Sequence, residues 1–563
     1  QGQQQQEETA TAVVVVVVET GNDSSTQQQQ QQHLDATPTH TQSKTTKNNV
    51  EEDLEEEKDD FVLVHCDKVI VQEDVDVVEV VVAQDDVSSC FQDDDSKTTT
   101  ITKYSTPSTE DEKECEIDAV LLDAINVFDV DMDLVETLIK KQGANVNCTD
   151  NDGESPLIRA CFWGHDQVVS LLLEYNANIH HSNAHGDTAI LVASGWGHTN
   201  IVDKLLLLLP QKKNVILNAV GQNGHTALTL ASFNGHVDIV HKLLQHGADP
   251  NKLTKTNNNT ALMLASWNNH LDIVRALLQH GASLDLVNSD GVNALMLATD
   301  RGHGTIVQVF LEQLSNHHND DDNDGDVLNH TDNNGVSALI LGVRNNHYDI
   351  VSQLLQQGAA VDGCECGDTA LTLASWHGRI ELVRSLLDAG ANPDITSNAH
   401  GSTALILAAF MGHADVVAIL LERGARSNLF NKEGNSAFLL ATMKGHVDIV
   451  RMLLLHNNND DTLLLNNVNH DGFTALHYAS RDGHVEIVNL LLQEEHVDTD
   501  AVHKPTGDTP LMLASSKGHD DICIALLQHG ADLERTNHTG RTALFLACAW
   551  NKLSTVQLLV EDF

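Results

Sequence analysis

Residues 222–251 read QNGHTALTLASFNGHVDIVHKLLQHGADPN, and most of the chain repeats this pattern. Thr226 stands directly before a short apolar run, where a hydroxyl can cap the free N–H groups of a helix. Gly235 ends that run, because glycine takes the left-handed conformation that stops a helix. Apolar residues at helical spacing then predict a second helix over 237–246, which ends at Gly247. The stretch therefore predicts two short helices joined by a tight turn.

Two short helices share only one apolar side, so a single unit cannot bury its own core and needs a copy on each flank. The chain supplies twelve copies, most often 33 residues apart, each opened by a turn glycine or its equivalent. These turn positions are Gly153, Gly186, Gly224, Asn258, Gly291, Gly335, Gly367, Gly401, Gly434, Gly472, Gly507 and Gly540. Asn258 replaces a turn glycine, which predicts a weak joint at that repeat.

The period, the G-x-T-A-L helix start and the G-H helix break resemble the ankyrin repeat family. Two stretches are particularly close, residues 367–394 (GDTALTLASWHGRIELVRSLLDAGANPD) and residues 472–493 (GFTALHYASRDGHVEIVNLLLQ). The resemblance covers about residues 117–563. It implies an all-α solenoid of helix-turn-helix units with short turn fingers, and a concave surface at which ankyrin proteins commonly bind other proteins.

Residues 1–115 differ in composition from the rest of the chain. They contain glutamine runs and an acidic block at Glu51–Asp60. Such a composition seldom offsets the entropy of ordering, so we predict a disordered tail, with local strands over Phe61–Val87 as an alternative. Residues 116–150 predict an atypical N-terminal capping repeat that lacks its opening turn, and residues 151–563 predict the ankyrin repeat array.

The chain is strongly acidic, with 81 acidic and 32 basic residues and a formal net charge of -49. Nucleic-acid binding needs a basic footprint, so no nucleic acid is expected as a partner. Anionic membrane surfaces are disfavoured for the same reason. Other proteins are the expected partners, and the overall charge favours a basic or mixed-charge one.

The cysteines and the apolar runs bear on the compartment. Nine cysteines are scattered without the even framework of a disulfide-rich domain, which predicts a reducing, cytoplasmic environment, with the nucleus as an alternative. No apolar run approaches the roughly 20 residues of a membrane span, so no membrane insertion is expected.

The 32 histidines suggest a metal site, but their placement favours a structural role. Ten of them occupy the same position after the helix break: His165, His198, His236, His270, His303, His347, His413, His446, His484 and His519. The chain also contains no H-E-x-x-H, P-loop, G-x-S-x-G or kinase signature. We therefore expect a non-catalytic protein with neither metal nor cofactor.

Three long segments lie between repeats, 208–220, 315–331 and 456–468, and the last two are rich in Asn and Asp. They predict solvated loops along one edge of the stack. Within the second, Asp320–Gly325 resembles the first half of a calcium loop. Thr331 stands where the bidentate glutamate belongs, so a solvated acidic loop is the favoured interpretation.

The chain departs from the family pattern at one histidine. The family places a histidine in the first helix, in a hydrogen-bond network between turns, and here only His477 keeps it. The resemblance therefore implies that the network is mostly absent, with apolar packing in its place. The residues at this position are Ile158, Leu191, Thr229, Met263, Met296, Ile340, Thr372, Ile406, Leu439, Met512 and Phe545.

The two residues before each helix break, which we call the helix-end row, contain all five tryptophans of the chain. By the resemblance, these positions end the inner helix and face the concave groove. Half-exposed aromatic and arginine side chains are the residue types of interface hot spots. The alternative is that the rings pack between repeats and stabilise the stack. The candidate partner-binding residues are Phe162, Trp163, Trp196, Phe233, Trp267, Arg301, Arg344, Trp376 and Phe410.

These patterns predict a non-catalytic protein–protein interaction scaffold or adaptor. The alternative is the regulatory or substrate-recruiting ankyrin portion of a larger protein, such as a ubiquitin-ligase adaptor, a kinase or a channel. That alternative stays open because the chain begins at Gln1 rather than Met and ends within a second helix at Phe563.

Overall fold

A computed structural model describes residues 110–209, 217–221, 224–317, 326–363, 367–397, 400–456 and 465–561. The chain divides into two units, Gln1–Val62 and Leu63–Phe563, and every described residue belongs to the second. Several predictions concern residues outside these ranges: the disordered tail up to residue 109, the strands over 61–87 and the calcium-like loop over 320–325. The last residues of the predicted tail, 110–115, are instead helical.

The described residues form 26 helices, arranged as consecutive pairs, which confirms the all-α prediction. The first helices of the pairs are α1 (Glu110–Ile125), α3 (Pro156–Trp163), α5 (Ala189–Gly195), α7 (Ala227–Asn234), α9 (Ala261–Trp267), α11 (Ala294–Asp300), α13 (Ala338–Arg344), α15 (Ala370–Trp376), α17 (Ala404–Met411), α19 (Ala437–Lys444), α21 (Ala475–Asp482), α23 (Pro510–Lys517) and α25 (Ala543–Ala549). The second helices are α2 (Met132–Lys140), α4 (Asp166–Glu174), α6 (Thr199–Leu208), α8 (Val237–Gln245), α10 (Leu271–Gln279), α12 (Gly304–His317), α14 (Tyr348–Gln356), α16 (Ile380–Asp388), α18 (Ala414–Glu422), α20 (Val447–His456), α22 (Val485–Leu492), α24 (Asp520–Gln528) and α26 (Leu553–Glu561).

Side-chain caps fix where the first helices begin. At α7, the Thr226 hydroxyl accepts a hydrogen bond from the N–H of Thr229 at 3.2 Å, as predicted for a capping threonine. The Thr229 hydroxyl accepts in return from the N–H of Thr226 at 2.8 Å, which completes a capping box. Gly235 ends the helix with φ of 82°, in the left-handed conformation.

The helix pairs stack in two layers. Each first helix packs against the first helices of its neighbours, and these contacts are more extensive than those between second helices. The apolar face of α8, with Ile239, Val240 and Leu243, is fully buried beneath its own first helix and the adjoining pairs. The core is therefore continuous from repeat to repeat, since no pair closes a core alone.

A histidine ladder joins successive repeats. At each rung, the Nε2 of the histidine after the helix break donates to a backbone carbonyl near the end of the preceding first helix. His270, for example, donates to the Phe233 carbonyl at 3.0 Å, and His446 to the Phe410 carbonyl at 3.1 Å. All ten histidines of this position make such a bond, the first of them to the Val127 carbonyl. This contact confirms their structural role.

At most repeat boundaries the ladder histidine packs against a glycine of the preceding repeat. A Cβ atom on Gly235 would lie 2.6 Å from Cε1 of His270, the histidine of the next repeat. Gly412 has the same relation to His446, also at 2.6 Å. At these boundaries the imidazole occupies the space that a side chain would fill, whereas Asn269 and Asn346 take the glycine position in two repeats with φ of 62°.

Replacing Gly235 by alanine should destabilise the array more than replacing Gly281. Both glycines have φ of 82°, but nothing lies within 4 Å of a Cβ on Gly281. Gly281→Ala should cost about 1 kcal/mol of unfolding free energy for the left-handed backbone alone. Gly235→Ala should cost roughly 3 kcal/mol, because it also displaces the His270 ring and its hydrogen bond. Urea unfolding followed by circular dichroism measures both. Equal losses would show that the imidazole contact contributes nothing.

His477 retains the family's hydrogen-bond network between turns. Its Nδ1 accepts from the N–H and the hydroxyl of Thr474 at 3.2 and 2.7 Å, and its Nε2 donates to the Asp508 carbonyl at 3.2 Å. Apolar packing replaces the histidine in several other repeats, as at Leu191 and Ile406, which are buried.

Two of the replacements at this position differ from the expectation of apolar packing. Thr229 and Thr372 are buried, but their hydroxyls donate to the carbonyls of their own capping residues at 2.9 and 2.8 Å. A local hydrogen bond, rather than apolar contact alone, therefore fills the position in these repeats. Phe545 is 52% exposed, so the prediction of packing is wrong for the last helix pair.

Acid should destabilise the native protein more than a His477→Leu variant. Burial lowers the pKa of His477 to about 4, whereas an unfolded histidine titrates near 6.5. Below pH 6.5 the unfolded chain therefore takes up a proton that the folded chain refuses, so stability falls as the pH approaches 4. The native protein should lose about 2 kcal/mol more than the variant between pH 7 and pH 5.

Urea unfolding at several pH values tests this difference. Leucine already occupies the equivalent position at Leu191 and Leu439, so the variant keeps the packing of those repeats. His503, whose pKa is also lowered by burial, is present in both proteins, and its interaction with His477 is part of the difference that the comparison measures. If the unfolding free energies of the two proteins fall equally with pH, His477 is not the source of the acid destabilisation.

Several element boundaries differ from the sequence prediction. Helix α1 begins at Glu110, seven residues before the predicted start at Ile117, because the charged segment before it continues the helix. Helix α12 runs to His317 and so includes the start of the segment predicted as a loop from Ser315. Asn258 adopts φ of 55°, in the left-handed region where the other turns have glycine. Its weak joint stays a prediction.

Candidate partner-binding surface

The helix-end row lies at the last turn of the first helices, immediately before the ladder histidines. The preceding turns of these helices are buried between repeats, and only their final residues reach solvent. Of the nine candidate residues, Trp196, Arg301 and Arg344 are exposed, whereas Phe162, Trp163, Phe233, Trp267 and Trp376 are half-buried. The row is therefore available to a partner only in part.

The first repeats place three rings of the row in contact. Phe162 makes edge-to-face contacts with Trp163, at 5.3 Å between ring centroids, and with Trp196 of the next repeat, at 4.8 Å. The indole N–H of Trp163 donates to the Asn126 side chain at 3.2 Å. Trp196 remains 38% exposed despite this packing. The cluster thus joins two repeats and still presents an aromatic edge.

Trp267 and Arg301 form the next contact along the row. The Cζ atom of Arg301 lies 3.5 Å from the centroid of the Trp267 ring, which is cation–π geometry across one repeat boundary. Arg344 lies 3.5 Å from the carboxylate of Asp300 in the preceding repeat. Both arginines are held by neighbours and remain exposed.

Trp376 and Phe410 fit the packing interpretation better. Their rings stack at 6.0 Å, and Lys444 Nζ lies 4.7 Å from the centroid of the Phe410 ring. Phe410 is only 9% exposed, so the expectation that it is half-exposed is wrong. Its neighbours on both sides cover it, which makes it part of the stack.

Phe233 does not join the ring contacts of the row. Among the described residues, the row's ring contacts link the Phe162 cluster and the Trp376–Phe410 pair, and Phe233 belongs to neither. Its backbone carbonyl is bound by His270 and by the Asn268 side chain at 3.1 Å. Phe233 therefore contributes to the ladder through its backbone, and its half-buried ring lies between the two tryptophan repeats.

Asparagines in the row have a structural role that the sequence reasoning missed. The side-chain amide of Asn234 donates to the Gly195 carbonyl at 2.9 Å, and that of Asn345 to the Asp300 carbonyl at 2.9 Å. Asn268 makes the equivalent bond to Phe233. Each amide supports the carbonyl that the ladder histidine also uses. The recurrence of Asn at this one position was the available signal.

A second aromatic layer, also missed, links a turn finger to the row. Phe473 follows the turn glycine Gly472, and its ring stacks on His503 at 4.0 Å and tilts against Tyr478 at 4.9 Å. Arg481 of the row lies over both aromatic rings, with Cζ 5.4 Å from Phe473 and 4.9 Å from Tyr478. The fingers and the row therefore share one surface. Burial lowers the pKa of His503.

The described part of the chain shows no group of three or more His, Cys, Asp or Glu side chains placed to hold a metal ion. None of its helices combines the length and apolar character needed to cross a membrane. Burial raises the pKa of Cys161 and that of Cys523, the latter to about 11, so both thiols stay protonated and unreactive.

Comparison with known proteins identifies the class. The family profile for ankyrin repeats matches nine overlapping segments that together run from residue 121 to residue 563. The chain therefore belongs to the ankyrin repeat family, whose typical role is to bind other proteins.

Similarity to individual curated proteins is confined to short segments. The E3 ubiquitin-protein ligase XBAT33 of Arabidopsis thaliana is 42% identical over 52 residues, which is 9% of this chain and 10% of that protein. The probable E3 ubiquitin-protein ligase XBOS33 of Oryza sativa subsp. japonica is 44% identical over 52 residues, with the same coverage. Ankyrin repeat domain-containing protein 13B of Mus musculus is 44% identical over 57 residues, 10% of this chain and 9% of that protein. The chain spans about a tenth of the length of these relatives.

Proposed function

We propose that this protein is a non-catalytic scaffold or adaptor. It binds partner proteins through the part of the helix-end row that lies on the first helices α3 to α13. The observation that carries the proposal is the set of exposed or half-exposed anchors on five of the six helix pairs from α3 to α13: Trp163, Trp196, Trp267, Arg301 and Arg344. Large aromatic and arginine side chains in such settings carry most of the free energy in protein interfaces.

The contacts within the row favour binding because they hold the anchors in place before a partner arrives. Trp196 is restrained by Phe162, and the Trp267 ring and the Arg301 guanidinium restrain one another. A restrained side chain loses little conformational entropy on association, so more of its contact energy remains as affinity. Packing within the stack and binding at its surface are therefore compatible for these residues, unlike for Phe410, which is covered.

Replacing Trp196 and Trp267 together by alanine should abolish partner capture without unfolding the array. We expect a loss of more than tenfold in affinity, since each tryptophan is an interface anchor. The melting temperature should fall by only a few degrees, because the Phe162 edge contact and the Arg301 contact stabilise by about 1 kcal/mol each. Proximity labelling and pull-down with the purified chain identify the partner, and calorimetry with that partner measures its affinity.

Trp550→Ala provides the matched control. Trp550 occupies the same position of the row in the last pair, is 53% exposed and lies outside the proposed surface. This variant should retain full binding. Intact binding by the double variant together with a large drop in melting temperature would instead assign Trp196 and Trp267 to the stack alone.

A second candidate is that the array recruits substrates for a larger protein, such as a ubiquitin ligase. The supporting observation is that two of the similar curated proteins are named as E3 ubiquitin-protein ligases, although the similarity covers only 52 residues. The full-length transcript tests this candidate: an additional ligase, kinase or channel segment supports it, and its absence from a complete reading frame contradicts it. Fluorescent tagging of that product distinguishes the proposed cytoplasmic location from a nuclear one.

A further inference from the structure

The charge of the helix-end row is opposite to the charge of the chain. Across its twelve pairs of positions, the row has five basic residues against two acidic ones, Asp300 and Asp482, whereas the whole chain has 32 basic and 81 acidic residues. The basic residues begin at α11 and continue to α23: Arg301, Arg344, Lys444, Arg481 and Lys517. The row is therefore positively charged, although the net charge of the whole protein is negative.

Part of the acidic charge lies in the other helical layer. The second helices have carboxylates in their first turns, where they face the positive end of the helix dipole. Asp272, Asp349, Glu381 and Asp448 are examples. First-helix ends are the negative end of the dipole and favour cations, so the two layers separate the charge.

Three of the row's cations have no carboxylate partner. Within the described residues, Arg301, Lys444 and Lys517 form no ion pair, and all three are exposed. By contrast, Arg451 of α20 pairs with Glu486 of the next repeat at 3.1 Å. Unpaired cations at the row are available to a carboxylate from outside.

The fingers of two of these repeats carry charges of both signs. Lys432 and Lys504 are exposed on the fingers of the same repeats whose first helices end in Lys444 and Lys517. The same fingers carry the carboxylates Glu433 and Asp508, and Asp508 accepts from the Asn537 amide at 2.7 Å and from the Thr506 hydroxyl at 2.6 Å. The excess of positive charge therefore lies at the row rather than on the fingers.

We propose that the row from Arg301 to Lys517 binds an extended acidic segment of a partner protein, with apolar residues near the middle of that segment. This inference rests on the proposed function and names the chemistry of the partner. The apolar requirement comes from α15 and α17, where the row presents Trp376, half-buried, and Met411, 39% exposed, between the two groups of cations.

The spacing of the repeats sets the spacing of the ligand. Neighbouring packed helices are about 10 Å apart, and an extended chain advances about 3.3 Å per residue. One ligand residue in every three therefore faces each repeat. The seven first helices from α11 to α23 then read a segment of about 19 residues, with acidic side chains opposite the cations and apolar ones opposite Trp376 and Met411.

The experiment uses a fluorescent synthetic peptide of about 19 residues built on this spacing. It has glutamate opposite the five cations, leucine opposite Trp376 and Met411, and serine elsewhere. Fluorescence anisotropy with the full chain should show saturable binding that weakens as salt is raised. A peptide of the same composition in scrambled order should bind at least fivefold more weakly.

Two variants of equal charge locate the binding. The row variant, Arg301→Gln with Lys444→Gln, should bind the peptide about tenfold more weakly than the native chain. The control variant, Arg275→Gln with Arg451→Gln, removes the same charge from exposed positions of the second helices α10 and α20 and should bind as the native chain does. Melting curves confirm that both variants stay folded. Equal affinities for the two variants would overturn the proposal.

Three further outcomes are decisive. A single-stranded oligothymidylate of equal charge that binds as tightly as the peptide would show a general polyanion surface and overturn the assignment to a protein segment. Failure of the peptide, while Trp196 and Trp267 are still needed to capture the natural partner, would overturn the acidic class and leave the proposed scaffold role standing. Failure of both would overturn both.

Discussion

The stack depends on the contact between a glycine of one repeat and the imidazole of the next. At Gly235, the missing side chain makes room for His270, and the ring then reaches a carbonyl at the end of the preceding first helix. A helix end leaves such carbonyls without partners inside its own helix. The histidine of the neighbouring repeat donates a hydrogen bond to one of them. The same hydrogen bond therefore stabilises the end of one helix and fixes the position of the next helix pair.

This coupling explains why the same few residues hold both structural and functional interest. The ladder fixes the last turn of every first helix, and the two residues before the glycine are held at defined positions along the stack. Some of these positions reinforce the ladder, as Asn234 and Asn268 do with their side-chain amides. Others, such as Trp196 and Arg301, remain exposed on a rigid base. The surface therefore varies from repeat to repeat while its spacing stays constant.

Much of the fold was predictable because the determining interactions are local. Thr226 and Gly235 are read from a few neighbouring residues, and the cap and the left-handed stop follow directly. The candidate row was also located correctly at the first-helix ends. The exposure of its members depends on their place in each pair and on the neighbours across the repeat boundary: Phe410, the first residue of its pair, is 9% exposed, whereas Trp196, the second of its pair, is 38% exposed. The part of Phe473 in a finger-to-row layer was missed for the same reason, because it depends on His503 and on Arg481.

The sequence by itself determined the repeating unit, the order of the helices and the residues that join one unit to the next, because each of these follows from spacing and backbone preference within about one repeat. The tertiary structure decided which side chains of the row face solvent and how charge divides between the two layers. Net charge is a sum over the chain and does not say where the charges lie, so by itself it favoured a basic partner. Stacking fixes their positions: it separates the carboxylates of the second helices from the cations at the first-helix ends. Arg301, Lys444 and Lys517 are therefore exposed together on an otherwise acidic protein.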